Sequence, residues 1–364
     1  MKILINRTDA LGDTILTEPI AALLRLTFPD ADIRFLISPI SAPLFEAHPY
    51  VDGVFLYKKK SSLLSRIKTL GNILNEFKPD IYIFAGGDQF VSFYMWLKRV
   101  DKRAGLISKL PSFLFLNYGV RQKRSLVTMH ESEYNLNLLR GLGIVHDVKN
   151  EFDLSPKIFI NDEKRQASID LFKESLKDEG LDPSLGNIFI HPGMTGHTLN
   201  WSSRNYGRLI DKMESSFPNQ FNWIISHTAS DQQYLVGLRD HIEKTPHLHN
   251  KVYFFDGGIN GLRDYMNVLS TADAFVGPST GTTHIANILG VKTVGIYSPI
   301  KVQSTLRWSP YNRDEDKLRL VVPDVVCGEQ FKCAGNSCPY YECMSKIEVQ
   351  DIMSELIDLL NLEK

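Results

Sequence analysis

The residues best suited to chemistry lie in short turns, each set between an apolar strand and a helix. The first turn runs Asn6-Arg7-Thr8-Asp9-Ala10-Leu11-Gly12-Asp13. Ahead of it, residues 3–5 form an apolar, β-branched run that reads as a buried strand. Behind it, Ile15, Leu16, Pro19, Ile20, Leu23 and Leu24 keep helical spacing. Asp13 stands at the expected helix start and admits two readings. As a cap it would contribute about 1 kcal/mol. As a general base it would be held ionised by the helix dipole, by about 0.3–1 kcal/mol, less than one pKa unit. This stretch alone favours the cap.

The second turn runs Gly277-Pro278-Ser279-Thr280-Gly281-Thr282-Thr283-His284. Small residues let the backbone approach a ligand closely. The first N–H groups of the helix lack internal partners, and the hydroxyls of Thr280, Thr282 and Thr283 add donors. The combination suits an anion such as a diphosphate; the plain alternative is a capped helix after a tight turn. The turn is neither a G-x-G-x-x-G fingerprint nor a P-loop with its Lys. His284 could be a core histidine or touch phosphate. A further turn, His191-Pro192-Gly193-Met194-Thr195-Gly196, also follows a strand and could lie beside the second across a parallel sheet. It adds Thr195 to the candidate anion contacts. Arg204 and Lys301 are the nearest cations in sequence, and Trp201 reads as packing.

The elements that would carry these turns alternate. Strands are expected at 3–5, 33–37, 51–57 and 81–84, with a helix between 63 and 77 and another at 91–97. Residues 103–105 open a short segment leading to the apolar 113–116, and a helix follows at 131–142. A linker is expected at 147–156. The second half repeats the scheme, with strands at 188–190, 223–226, 252–255 and 274–276, and 293–297 closing the sheet. Alternation of this kind argues for α/β units with parallel sheets. At 364 residues the chain exceeds one ordinary core, so two domains are expected, leaving a cleft between facing carboxyl edges.

Composition narrows the class. The net charge of −1 hides an asymmetry: residues 51–125 hold 14 Lys and Arg against 5 Asp and Glu. The excess lies in Lys58-Lys59-Lys60, Lys98-Arg99, Lys102-Arg103 and Arg121, Lys123, Arg124. It is either a solvated surface or a face for an anionic acceptor or an anionic membrane. The acceptor reading expects charge reversal at Lys98 and Arg99 to raise the acceptor KM. No signal-peptide pattern and no membrane-length apolar run is present, so the expected location is cytoplasmic, at most peripheral on the inner membrane. Cys327, Cys333, Cys338 and Cys343 are spaced C-x5-C-x4-C-x4-C, which matches no tight zinc pattern. No metal is expected. Asp30-Ala-Asp32 and Asp314-Glu-Asp316 do not sit where a metal-carrying Asp-x-Asp would.

Together the motifs resemble the family 9 glycosyltransferases, the ADP-heptose:lipopolysaccharide heptosyltransferases and their relatives. The resemblance is carried by Arg7-Thr-Asp-Ala-Leu-Gly-Asp13 with Pro19, and by His130-Glu131-Ser-Glu-Tyr-Asn135 leading to Leu142-Gly143-Ile144. It is carried further by His191-Pro192-Gly193, Trp201, Ser279-Thr-Gly-Thr-Thr-His-Ile-Ala286 and Cys343-Met344. It implies a GT-B architecture: an acceptor-binding Rossmann-like domain at 1–152, a nucleotide-sugar-binding one at 153–345, and a terminal helix at 346–364 packing back on the first. It implies inverting, metal-independent transfer without a cofactor, from a nucleotide-diphosphate sugar such as ADP-heptose to an anionic glycan or lipopolysaccharide core, and no nucleic-acid partner. The catalytic aspartate falls on Asp13 and the diphosphate turn on Thr280 and Gly281, with Thr282 and Thr283 beside it. Two positions depart from the pattern. Leu199 stands where heptosyltransferases carry a Lys two residues before the Trp, removing a charge-assisted bond of about 1.5–3 kcal/mol. Ser279 stands where they often carry Asp. Both bear on the donor sugar more than on the reaction type. A non-catalytic sugar-nucleotide or glycan binder of the same fold, a nicotinamide-dependent dehydrogenase and a module organised by metal on the four cysteines are the other readings.

Overall fold

Ile3, Leu4 and Ile5 are all fully buried, as in a strand covered on both faces, which requires a parallel sheet between helices. The computed structural model describes residues 1–108, 110–145, 154–194, 199–311, 315–328 and 332–363. It divides into two units, Met1–Phe159 and Ile160–Lys364. In the first, the strands are β1 (Lys2–Arg7), β2 (Asp32–Ile37), β3 (Gly53–Leu56), β4 (Ile81–Gly86), β5 (Lys102–Leu106) and β6 (Tyr118–Val120). The helices are α1 (Leu11–Ile15), α2 (Pro19–Thr27), α3 (Leu63–Glu76), α4 (Gln89–Leu97), α5 (Ser112–Phe115) and α6 (Glu131–Leu136). All strand pairs are parallel and the order is β3-β2-β1-β4-β5-β6.

The second unit contains α7 (Asp162–Asp178), β7 (Gly186–Ile190), α8 (Ser203–Ser216), β8 (Phe221–His227), α9 (Val236–Glu243), β9 (Val252–Asp256) and α10 (Gly261–Leu269). These are followed by β10 (Ala274–Pro278), α11 (Gly281–Ile288), β11 (Lys292–Ile296), α12 (Thr305–Trp308), β12 (Leu318–Val321) and α13 (Val349–Leu360). Its order, β12-β11-β10-β7-β8-β9, is again fully parallel. Taking β7 as its first strand, both sheets read 3-2-1-4-5-6, the doubly wound order. In such a sheet the winding direction reverses between first and fourth strands, and the loops leaving their carboxyl ends open a crevice. Three of those loops, after β1, β7 and β10, are the turns that the sequence marks out.

Several expectations are corrected. The helix expected after the first turn is broken in two, because Pro19 has no N–H to give and therefore starts α2. The apolar 113–116 lies mostly in a one-turn helix between β5 and β6. The sheet does not end at 293–297, since β12 adds an edge strand. The helix at 131–142 is α-helical only to Leu136, then tightens to a 3-10 turn that stops at Gly143, φ 78°. Most of the expected linker, its residues 147–153, lies outside the described residues. The division between units falls after Phe159, because the preceding stretch still packs on the first unit. Leu154 is buried, the Lys157 N–H donates to Glu18 at 3.0 Å, and the Phe159 ring meets His48 edge-on at 5.0 Å. Glu18 in turn pairs with the buried His48 at 3.0 Å.

The terminal helix is also corrected: α13 belongs to the second unit. Its apolar stripe, Ile352, Met353, Leu356 and Leu359, joins the cluster built on Trp223, Tyr206 and Met213, and it packs on α8, β11 and β12. Among the described residues no helix is long and apolar enough to cross a membrane. Leu356 is fully buried, so Leu356→Ala should destabilise the second unit by about 2–5 kcal/mol. Urea unfolding followed by the buried tryptophans Trp201 and Trp223 measures this; a loss under about 0.5 kcal/mol would mean that α13 is only an appendage.

Candidate functional site

The carboxyl edge of the first sheet is organised by the side chain of Arg7, the last residue of β1. Its guanidinium donates to the Ala85 carbonyl near the end of β4, to Asp9 at 2.8 Å, and to Asp13. The approach of the β4 loop depends on two glycines. A Cβ at Gly86 would lie 2.6 Å from the Arg7 guanidinium, and one at Gly87, φ +93°, would lie 2.3 Å from the Thr8 hydroxyl. That hydroxyl accepts the Asp88 N–H at 2.9 Å. Asp88 caps α4 through Phe90 N–H and also accepts from Tyr57 at 2.7 Å and Arg66 at 2.6 Å. Loops after β1, β3 and β4 are thereby joined at one edge.

Asp13 is not the helix cap. Ala10 holds that position, and Asp13 lies in the first turn of α1 with no cap bond. Its carboxylate is 23% exposed while the Arg7 side chain is 6% exposed. Burial pushes the Asp13 carboxyl above its ordinary range, Asp9 and Glu131 add to the rise, and Arg7 opposes it. Arg7 stays charged: burial works against its charge, but Asp13, Asp9 and Glu131 outweigh that. Glu131, 1% exposed, pairs with Arg124, which also reaches Asn135 at 3.1 Å. Asn135 in turn donates to the Leu16 carbonyl at 3.0 Å. His130 opens α6 in a reciprocal capping box with Glu133. The His130–Asn135 motif thus builds the wall behind Asp13. Two guanidiniums, Arg7 and Arg124, face three carboxylates, Asp9, Asp13 and Glu131, so a proton taken up by Asp13 leaves the group neutral. That is the electrostatic setting of a base.

At the matching edge of the second sheet, β10 passes through Ser279 and Thr280 into α11. Thr280 precedes the helix, and its hydroxyl meets that of Thr282 at 2.8 Å instead of capping. Ser279, Thr280, Gly281 and Thr282 are half-buried, so the first N–H groups of α11 stand at an accessible turn. Thr283 and His284 differ. Thr283 is fully buried and donates to the Pro278 carbonyl, so its hydroxyl shapes the turn. His284 is 4% exposed. Ser279 bonds to the hydroxyl of Tyr297, whose phenol burial holds well above its ordinary value. The neighbouring loop begins at His191, bonded to Ser226 at 3.1 Å and pushed toward neutrality by burial. A Cβ at Gly193 would lie 2.4 Å from the Asp231 carboxyl. Thr195 lies outside the described residues.

Other marked residues separate. Trp201 packs, as expected: it is 3% exposed and its Nε1 donates to the Ile347 carbonyl at 2.8 Å. Arg204 is engaged with Asp240 at 3.2 Å on α9. Cys327, Cys333, Cys338 and Cys343 border a cavity of about 300 Å³ with Leu199; among the described residues no group of His, Cys, Asp and Glu is arranged to hold a metal ion. Lys98 and Arg99 are not at the site. Helix α4 starts at the carboxyl edge and runs back about 14 Å at 1.5 Å per residue. Lys102, three residues past Arg99, pairs with Ile81, which is level with Ile3. These cations therefore lie at the amino edge, whereas Arg121 and Lys123, exposed just after β6, lie at the edge of Asp13.

A sequence model of glycosyltransferase family 9 (heptosyltransferase) matches residues 122–332, over half of the 364-residue chain. The chain belongs to glycosyltransferase family 9. It is a glycosyltransferase of heptosyltransferase type with the GT-B fold, which sets aside the dehydrogenase and the non-catalytic binder. A Haemophilus influenzae protein named as a candidate glycosyltransferase is 26% identical over 87% of each chain. Lipooligosaccharide heptosyltransferase 2 of Campylobacter jejuni is 22% identical over 99% of this chain and 98% of its own. The structure of E. coli ADP-heptose lps heptosyltransferase II matches with a TM-score of 0.76 at 16% identity, covering 99% of each chain.

The Asp13 carboxyl of this family 9 glycosyltransferase should titrate above the ordinary aspartate range in carboxyl ¹³C NMR. Folding raises its proton affinity. Its contribution to stability is therefore fully present below the unfolded pKa and is lost as pH rises through the folded one. Asp9→Asn removes a charge that raises the Asp13 pKa, so the midpoint should move down; an unmoved or raised midpoint would contradict the arrangement.

Proposed function

We propose that this enzyme is an inverting glycosyltransferase. It moves heptose from ADP-heptose to a lipopolysaccharide-core-like, anionic glycan acceptor, without a metal or cofactor and with Asp13 as general base. The observation that carries this reading is a half-exposed carboxylate with raised proton affinity, held by a buried guanidinium at the switch point of the first sheet. Its counterpart at the second switch point is an accessible helix start suited to a diphosphate. The family relatives support the sugar, the nucleotide and the acceptor class through their names.

The steps balance as a single displacement. Asp13 takes the proton of an acceptor hydroxyl. The oxygen forms a bond to the anomeric carbon as that carbon's bond to the diphosphate oxygen breaks. The electron pair leaves with the nucleotide diphosphate, whose growing charge meets the N–H groups at Gly281 and Thr282 and the hydroxyls of Ser279, Thr280 and Thr282. Thr195 and His284 complete the proposed donor contacts, with Thr283 holding the turn. One displacement inverts the anomeric configuration. The first unit engages the acceptor, with Arg121 and Lys123 at its basic rim, and the second holds the donor. Leu199 and Ser279 leave room for a donor sugar other than heptose, which a panel of nucleotide-diphosphate sugars in nucleotide-release assays resolves.

Asp13→Asn should cut turnover by about 10²–10⁴-fold with donor affinity by calorimetry unchanged; near-normal turnover would remove Asp13 from the base role. Arg121→Glu with Lys123→Glu should raise the KM for an anionic acceptor about tenfold or more, since a bond to a charged group contributes about 1.5–3 kcal/mol and about 1.4 kcal/mol is tenfold. Reversal at Lys98 and Arg99 should leave that KM alone in a detergent-free assay with a water-soluble acceptor. Equal effects from both pairs would place the acceptor elsewhere.

A further inference from the structure

Strand β1 ends its apolar run with an amide as deeply buried as the residues before it. Ile3, Leu4, Ile5 and Asn6 are all fully buried. A buried amide is costly unless its hydrogen bonds are met, so its reason must lie nearby. The pairing of β1 with β4 supplies one. The register runs Ile3 with Ile81, Leu4 with Tyr82, Ile5 with Ile83 and Asn6 with Phe84, and then Arg7 with Gly86. Ala85 is passed over, an extra residue in β4. Such a bulge is rare between parallel strands and is over-represented beside active sites, where it re-aims a side chain.

Two successive carbonyls of the bulge are held by two successive side chains of β1. The Asn6 amide donates to the Gly86 carbonyl at 3.3 Å, and the Arg7 guanidinium donates to the Ala85 carbonyl. Successive side chains of a strand leave on opposite faces, so the bulge is gripped from both. On its own face Asn6 is steadied in turn. Its Nδ2 also donates to the Tyr82 hydroxyl at 3.1 Å, which meets the Ser92 hydroxyl of α4 at 3.0 Å, and Tyr82 and Ser92 are both buried. A carbonyl only accepts, so the amide nitrogen and not its oxygen must face Gly86. On the opposite face, the guanidinium that takes Ala85 also takes Asp9 and Asp13.

We propose that Asn6 is a positioning residue for the transfer: it keeps the β4 bulge in place, and the bulge keeps the Arg7 guanidinium where it holds Asp13. The proposal rests on the reading of Asp13 as the base, and Asn6 acts only through Arg7. Without its amide the Gly86 carbonyl and the Tyr82 hydroxyl lose a donor, and nothing on that face stops the extra residue from shifting. Arg7 then has a movable carbonyl in place of a fixed one. A catalytic group misplaced by about 1 Å costs about 10²-fold in rate. A looser Arg7 also opposes the effect of burial less, so Asp13 binds its proton more tightly. An amide that merely filled its place in β1 would affect the stability of the first unit and leave the titration of Asp13 alone.

Asn6→Leu in the full chain keeps the approximate volume and removes the donor. In the folded variant, checked by circular dichroism, the Asp13 midpoint in carboxyl ¹³C NMR should move up, and the acid limb of the pH–rate profile should move up with it. Turnover at neutral pH should fall about tenfold or more, with donor affinity by calorimetry unchanged. Tyr82→Phe, which loses only the hydroxyl that steadies the amide, should move the midpoint the same way by less. Leu356→Ala, a destabilising change in the second unit, is the control and should leave the midpoint where it is. A folded Asn6→Leu with the wild-type midpoint, a midpoint that moves down, or an equal shift in Leu356→Ala would overturn the proposal. If Asn6→Leu does not fold, Tyr82→Phe is judged by the same criteria. Failure of the base reading looks different: Asp13→Asn would then keep near-normal turnover, while the midpoints would still show whether Asn6 holds Arg7 against Asp13.

Discussion

The structure at the first switch point rests on one buried cation. Arg7 leaves the end of β1 with its side chain almost wholly removed from water, and a guanidinium in that position persists only if its donors are matched. They are matched by Asp9, Asp13 and the Ala85 carbonyl near the end of β4. The pairing has two consequences at once. It sets where the Asp13 carboxylate can be, and it ties the β1 loop to the β4 loop across the crevice. Taking away any one partner would leave charge buried without compensation. That explains why the loop tolerates two glycines whose replacement would drive a methyl group into the guanidinium or into Thr8.

The second switch point solves the complementary problem by other means. It offers a helix start, a row of half-buried hydroxyls and a glycine. The two halves thus share an architecture and differ in what their edges offer: one holds a carboxylate against a buried guanidinium, the other a helix start with hydroxyls.

Much of this was legible in the residues. Continuous apolar runs gave the buried strands, and the two turns announced themselves by small residues between strand and helix. The resemblance drew attention to Asp13 and Thr280, which the fold sets after β1 and after β10. What escaped had physical reasons. Strand β12 alternates Leu and Arg in a short charged stretch, because an edge strand needs little apolar content. The role of Asp13 as a cap was plausible because α1 starts only two residues earlier, at Leu11. Arg7, Glu131 and Arg124 were not singled out individually, since a network joining residues more than a hundred apart has no local pattern. The terminal helix was assigned to the wrong unit because amphipathicity says that a face is buried and not against what. Lys98 and Arg99 looked like neighbours of Arg121, yet β5, α5 and β6 lie between them, and β6 delivers Arg121 to the carboxyl edge.

The bond from the Trp201 indole to the Ile347 carbonyl spans 146 residues of sequence. A ribosome delivers the indole long before its acceptor, at about 5–20 residues per second. During those seconds the loop after β7 emerges without the anchor that will hold its far end, and so does the helix packed behind it. A nascent chain therefore completes the first unit well before the second can close around its own core. Interrupted translation would leave products in which a finished first unit is joined to an unfinished second one, and quality control would meet the exposed Trp201 ring as its signal.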